Sequence, residues 1–262
     1  MTNHFITFAA AVCLGGVSAG EFFRIEKIED FKNPIGITQE NNIFIVRGPA
    51  RFFSVQKLKL DPSKKYKLSG EFRHQSGPQV QVRLGYAAVD SKNRIISSRY
   101  VNPVKDTETE IAASARRGNT VISVKDASKW RTNPAIFHIV FNILDDFSDL
   151  PNFSAIPIEK DGIRQRCDVW EVTLKQPLKL NIPEGTKVRQ HANGPSYIWN
   201  TGVATLQKQW ITQSGILSGI AKISTPIRKL WPGTESVRLI IFIFGKKDSV
   251  TEIRNVKVEE VE

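Results

Sequence analysis

Tyr66-Lys-Leu-Ser-Gly-Glu-Phe-Arg73, the turn Gly77-Pro78, Gln79-Val-Gln-Val-Arg-Leu-Gly-Tyr86 and the turn Asp90-Ser-Lys-Asn93 decide how this chain folds. In the first run Tyr66, Leu68, Gly70 and Phe72 alternate with Lys67, Ser69, Glu71 and Arg73. In the second, Val80, Val82, Leu84 and Tyr86 alternate with Gln79, Gln81 and Arg83. A period of two sends the apolar set to one side of a strand and the polar set to the other. Such strands, joined by polar turns, build antiparallel sheets with one side on a core. The same texture returns near the end, in Lys229-Leu-Trp-Pro-Gly-Thr234, Val237-Arg-Leu-Ile-Ile-Phe-Ile-Phe-Gly245 and Ile253-Arg-Asn-Val-Lys-Val-Glu259. The expected class is all-β, an antiparallel sandwich.

Working outward, strands are predicted at about 43–47, 52–60, 65–74, 79–89 and 94–100, with Gly and Pro turns between them. Residues 237–244 are apolar on both sides: Val237, Leu239, Ile241 and Ile243 on one, Ile240, Phe242 and Phe244 on the other. This pattern predicts a central strand whose second side needs a cover. The middle, residues 111–200, changes texture and supplies a candidate for that cover. It predicts short strands near Thr120–Lys125, Ala135–Ile143 and Val169–Leu174, and a tight turn at Pro183–Thr186. The predicted organisation is a sandwich built from residues 20–110 and 201–262, with residues 111–200 as a β-rich insertion; a single continuous sandwich is the alternative.

Residues 1–19 read as a leader, with an uncharged apolar run from Phe5 and a Val17-Ser18-Ala19 cleavage site. Export to the periplasm, the cell surface or the medium follows, and no later stretch is apolar enough to span a membrane. Removing the leader leaves Cys167 alone, so no internal disulfide can form, and a buried, inert thiol is expected there. The net charge is +11. Its excess is spread as +5, +3 and +3 over residues 20–111, 112–200 and 201–262, with no Lys/Arg block. A nucleic-acid binder concentrates its cations on one element, so nucleic acid is set aside in favour of anionic surfaces or polymers.

Lys64-Lys-Tyr-Lys-Leu-Ser-Gly70 after an Asp61-Pro-Ser63 turn, the Asp90-Ser-Lys-Asn93 turn, the Trp231-Pro-Gly-Thr234 loop and the closing Arg254-Asn-Val-Lys-Val258 strand belong together. In these features the flanks, about 40–110 and 201–262, resemble secreted carbohydrate-binding modules of the xylan- and cellulose-binding type, with a galactose-binding-like jelly roll. The resemblance covers a little over half of the chain after the leader, and the insertion departs from the compact module. It implies a jelly-roll frame and non-covalent binding of a carbohydrate polymer, anionic ones included.

Sugar recognition needs flat aromatic surfaces for C–H faces and planar polar groups for hydroxyls. The densest such cluster is Arg189, Gln190, His191, Asn193, Tyr197 and Trp199 around a Gly-Pro loop, and Trp210 follows soon after. The polar side of the decisive strands, Glu71, Arg73, Gln81 and Arg83, is a second candidate, with Arg offering paired donors to a uronate. Asp145, Asp146 and Asp149 have oxygen-ligand spacing suited to a structural Ca²⁺, which Asx turns explain equally well without a metal. No HExxH, GxSxG, phosphate-cradling loop or CxxC pair occurs. The expectation is therefore a binding protein without chemistry. Two other readings stay open. One is a lyase or hydrolase of acidic polysaccharide using Arg189, His191 and Tyr197; the other is a structural or adhesive surface protein.

Overall fold

The structure is a computed structural model that describes residues 20–132 and 136–262. The leader reading falls on residues 1–19 and the predicted strand start at Ala135 on another excluded stretch, so both lie outside the described residues. In chain order the strands are β1 (Glu21–Arg24), β2 (Phe31–Lys32), β3 (Ile37–Glu40), β4 (Ile43–Arg47), β5 (Ala50–Ser54), β6 (Lys65–Ser76) and β7 (Gln81–Val89). Next come β8 (Thr109–Glu110), β9 (Val121–Val124), β10 (Phe137–Phe141), β11 (Ile156–Arg166), β12 (Val169–Leu174) and β13 (Lys187–Ala192). The chain closes with β14 (Ala204–Thr205), β15 (Ile211–Ser218), β16 (Ser236–Phe244) and β17 (Val250–Val261). Among the described residues strand makes up 48% and the helices are two short 3-10 turns, so the fold is all-β.

Three antiparallel sheets result. The first runs β15-β6-β17-β4-β3, with β1 also on β17; the second runs β14-β7-β16-β5-β2; the third runs β8-β13-β10-β11-β12-β9. The first two share one core. Tyr66, Leu68, Phe72, Phe44, Ile253 and Val258 of the first sheet meet Val82, Leu84, Tyr86, Leu239, Ile241 and Phe52 of the second. Six of them, Tyr66, Leu68, Phe72, Val82, Leu84 and Tyr86, are the alternating residues of the decisive stretch, and burying each is worth about 1.5–3 kcal/mol. Trp231 plugs this core, fully buried, with Nε1 donating to the Pro226 carbonyl at 3.3 Å.

The third sheet has its own core, in which Ile122, Val124, Phe137, Ile139, Val172 and Trp130 pack together with Trp170 against them. Its two outer strands meet at a single bridge, Ile111–Val124, and the sheet does not close into a barrel. It is joined to the sandwich through Tyr100 and Phe153, whose rings lie 4.4 Å apart, and through the Arg94 guanidinium 3.6 Å from the Phe153 ring. Leu150 reaches the sandwich core itself. Among the described residues no helix is long and apolar enough to cross a membrane.

Three local expectations need correction, and one connection proves to cross between the sheets. The strand predicted over 52–60 ends at Ser54, and Leu58 makes only one bridge, to Val237. Residues 94–100 are not a strand: Ile95 bridges Val89 once, and a 3-10 turn follows at Ser98–Tyr100. Successive strands β6 and β7 are not paired with each other, because the Gly77-Pro78 connection carries the chain from the first sheet to the second. Cys167 is exposed rather than buried. It occupies, at φ 50°, the turn between the Arg166–Val169 ends of β11 and β12, and a two-residue hairpin tip leaves its side chains in solvent.

Candidate ligand-binding face

The outer side of the second sheet carries the candidate site. On β16 the core takes Leu239 and Ile241, which leaves Ile240, Phe242 and Phe244 pointing away from it. Register places Ile240 between Phe53 of β5 and Gly85 of β7, and Phe242 between Arg51 and Arg83. Beyond β7 the segment 197–201 adds to the sheet: Ile198 and Tyr86 exchange both backbone hydrogen bonds at 2.9 Å. Ile198 points into the core, so its neighbours Tyr197 and Trp199 must point outward.

The result is a ridge of rings, three of its contacts edge-to-face and the Phe242–Phe244 pair tilted. Phe53 and Tyr197 lie 5.7 Å apart, Tyr197 and Trp199 5.4 Å, Trp199 and Phe242 6.1 Å, and Phe242 and Phe244 4.2 Å. Each such pair adds about 0.5–1.5 kcal/mol beyond burial, so the rings hold one another in place. They are not sealed off: Phe53, Tyr197, Trp199 and Phe242 are half-buried and Phe244 is 40% exposed. The Arg83 guanidinium sits 4.9 Å from the Trp199 ring centre while its Nε donates to the Thr201 carbonyl at 3.1 Å. Arg51 Nη1 donates to Tyr197 Oη at 3.4 Å.

Gly85 makes room for the indole. A Cβ there would lie 3.1 Å from Trp199 Cε3 and closer still to the Ile198 carbonyl oxygen. Gly85→Ala should therefore push Trp199 and the 197–201 segment off the sheet and cost about 1–3 kcal/mol. A changed near-ultraviolet Trp signal and a lowered urea midpoint would show it; an unchanged spectrum would refute this seating of the ring.

The predicted candidates divide among three places. Tyr197, Trp199, Arg83 and Gln81 come together on this face, where Gln81 Nε2 donates to Thr205 Oγ1 at 3.3 Å. Glu71, Arg73 and Trp210 lie on the opposite side, on or beside the first sheet. There Arg73 pairs with Glu252, Arg254 pairs with Glu71 at 2.7 Å, and both guanidiniums stack on Trp210, at 4.7 and 4.1 Å. That cluster satisfies itself. The third place is the joint between the third sheet and the sandwich, where Arg189 and His191 are fully buried on β13. Arg189 Nη2 donates to Asp149 Oδ2 at 2.7 Å and its Nε donates to His191 Nε2 at 3.0 Å. His191 Nδ1 in turn donates to the Arg99 carbonyl at 2.9 Å, which uses both ring nitrogens of the neutral form. Burial pulls the His191 pKa down to about 4. Neither side chain can meet a polymer, and the segment is a paired strand rather than the expected loop. Asn193 is exposed beyond the end of β13.

The acidic trio is not gathered either. Asp145 pairs with Lys187 at 2.8 Å, Asp146 accepts from the Ser148 N–H and hydroxyl, and Asp149 is bound to Arg189 and Asn152. Among the described residues no group of three His, Cys, Asp or Glu stands close enough to hold a metal ion.

The sequence reading missed Arg51, Phe53 and the outward role of Phe242 and Phe244. The alternation Arg51-Phe52-Phe53, with Phe52 in the core, carried the signal. The side of β16 expected to need a cover is met by Trp199 at Phe242, while Phe244 stays open. A scan against protein-family models and a search of curated proteins each returned no match for this chain.

Proposed function

We propose that this is an exported, non-catalytic carbohydrate-binding protein that holds a polysaccharide along the outer side of its second sheet, on a jelly-roll frame. The observation behind this reading is the aromatic ridge from Phe53 through Tyr197 and Trp199 to Phe244, with Arg51 and Arg83 set beside the rings. Rings offer flat, apolar surface to the C–H faces of sugars at little entropic cost, and guanidiniums offer paired donors to hydroxyl and carboxylate oxygens. Strands β5, β7 and β16, with the 197–201 segment bridged to β7, hold both sets, so the platform exists before the ligand arrives.

Affinity gels tests this directly. Trp199→Ala should weaken retention roughly 30-fold, as loss of about 2 kcal/mol at a central aromatic would do. Because the ring lies outside the core, the variant should still fold. Unchanged retention of a folded Trp199→Ala protein would end the proposal.

A second reading has one observation in its favour. Arg51 beside the Tyr197 hydroxyl is the pairing an acidic-polysaccharide lyase needs, a cation to neutralise the uronate and a phenol to take the proton next to it. New absorbance from unsaturated uronate on incubation with alginate or pectate would favour that reading over plain binding.

A further inference from the structure

The two broad sides of the sandwich differ in charge: the strands of the first sheet carry both signs, whereas β2, β5, β7, β14 and β16 carry no Asp or Glu, and the carboxylates at their loops hold Lys59 and Arg94. On the strands and turns of the first sheet, Arg24, Lys64, Arg73, Arg254 and Lys257 each pair with a glutamate. On the second sheet and its loops, Lys32, Arg51, Lys57, Arg83, Arg238 and Lys246 have no carboxylate partner among the described residues. Neutral oxygens hold Arg51, Lys57, Arg83 and Arg238 instead. Arg238 Nη1 donates to the Ser54 carbonyl at 2.7 Å and to that of Val55, and Lys57 Nζ donates to Asn93 Oδ1 at 2.5 Å. Such anchors fix where the cations sit without cancelling their charge.

Four of them converge. Lys32, Arg51, Lys57 and Arg238 surround a hollow of about 510 Å³ at the Phe53 end of the ridge, and no acidic side chain lines it. Like charges around one hollow repel each other. An anion entering it relieves that repulsion and gains charge-assisted hydrogen bonds, which are about twice as strong as neutral ones. We propose that this hollow is the subsite for the anionic group of a sugar unit, a carboxylate or a sulfate ester, so that the ligand is an acidic polysaccharide. The inference rests on the reading of the ridge as a sugar platform and adds the charge class of the ligand.

Matched polymers test it: pectate against fully methyl-esterified pectin, and a sulfated galactan against its desulfated form. The expected result is at least tenfold tighter retention on the charged member of one pair, with the pair identifying carboxylate or sulfate. That ratio should fall roughly fivefold or more in a folded Lys32→Gln/Lys57→Gln variant and shrink as salt rises from low to physiological strength. Equal retention on charged and neutral members would overturn the acidic subsite and leave the sugar platform standing. Retention by none of the four, nor by xylan or cellulose, would remove the platform itself. Charged retention that survives both Lys32→Gln/Lys57→Gln and Trp199→Ala would be ion exchange by a basic protein, and would overturn the subsite as well.

Discussion

Asp149→Ala should lower the unfolding free energy by about 3–5 kcal/mol, the cost of stranding a buried charge. Arg189 is fully enclosed, and among the described residues Asp149 is its only anionic partner within ion-pair distance. Its other contacts are neutral: the Leu144 carbonyl at 3.3 Å, the His191 ring nitrogen, and the Phe147 ring at 5.0 Å. Removing the carboxylate leaves a guanidinium that can neither lose its proton nor reach water. Urea unfolding followed by Trp fluorescence measures the loss. The companion variant Asp149→Leu/Arg189→Met should recover much of it, since replacing both charges removes the desolvation cost along with the pairing. A loss below about 1 kcal/mol in Asp149→Ala would show that the pair is not buried in solution.

Stability should fall as pH drops from about 6.5 to about 4, before most carboxylates are protonated. His138 and His191 face each other across β10 and β13, and both have pKa values near 4. Burial is the main cause for each; the Arg99 charge adds to it for His138 and the Arg189 charge for His191. In the unfolded chain a histidine titrates near 6.5, so between the two values the unfolded state holds more protons than the folded one. Stability then rises with pH across this window: it is complete above 6.5 and is lost on the way down to 4. The slope can reach about 2.7 kcal/mol per pH unit when both rings contribute. His191 accounts for on the order of 3 kcal/mol in total, because a proton on its Nε2 would also meet the Arg189 donor. His138, lowered to the same value by burial, contributes a similar amount, although its Nδ1 has no hydrogen-bond partner among the described residues. The melting temperature of His138→Asn/His191→Asn should vary far less over this range. An equal slope in wild type and variant would remove the histidines from the account.

What could be read from the chain follows from how local each signal is. The faces of β6 and β7 were legible because Tyr66, Leu68 and Phe72, and Val82, Leu84 and Tyr86, obey a strict period of two. The central place of β16 was legible because both its sides are apolar, and it lies between β7 and β5. Alternation states which way a side chain points but not which sheet its strand joins. Glu71 and Arg73 were therefore grouped with Gln81 and Arg83, although a core separates them. Strand β13 was hidden for the opposite reason: Arg189, Gln190 and His191 are polar yet fully buried, each held by partners distant in sequence such as Asp149, Arg131 and Arg99. Strand β11 was masked by its irregular stretch between Ile158 and Ile163, where pairing with β12 shifts register. The ridge was half visible. Tyr197 and Trp199 stood out by type, but Phe53 and Phe244 become surface features only once their neighbours are assigned to the interior.

Because the strands of the second sheet carry Lys32, Arg51, Arg83 and Arg238 and no carboxylate, while those of the first carry both signs, the sandwich is an electrical dipole across its thickness. Near a negatively charged wall or gel it experiences a torque before it makes contact, and it arrives with β5 and β16 leading. Landing orientation and arrival rate would then be set by ionic strength, while the rings govern how long the molecule stays.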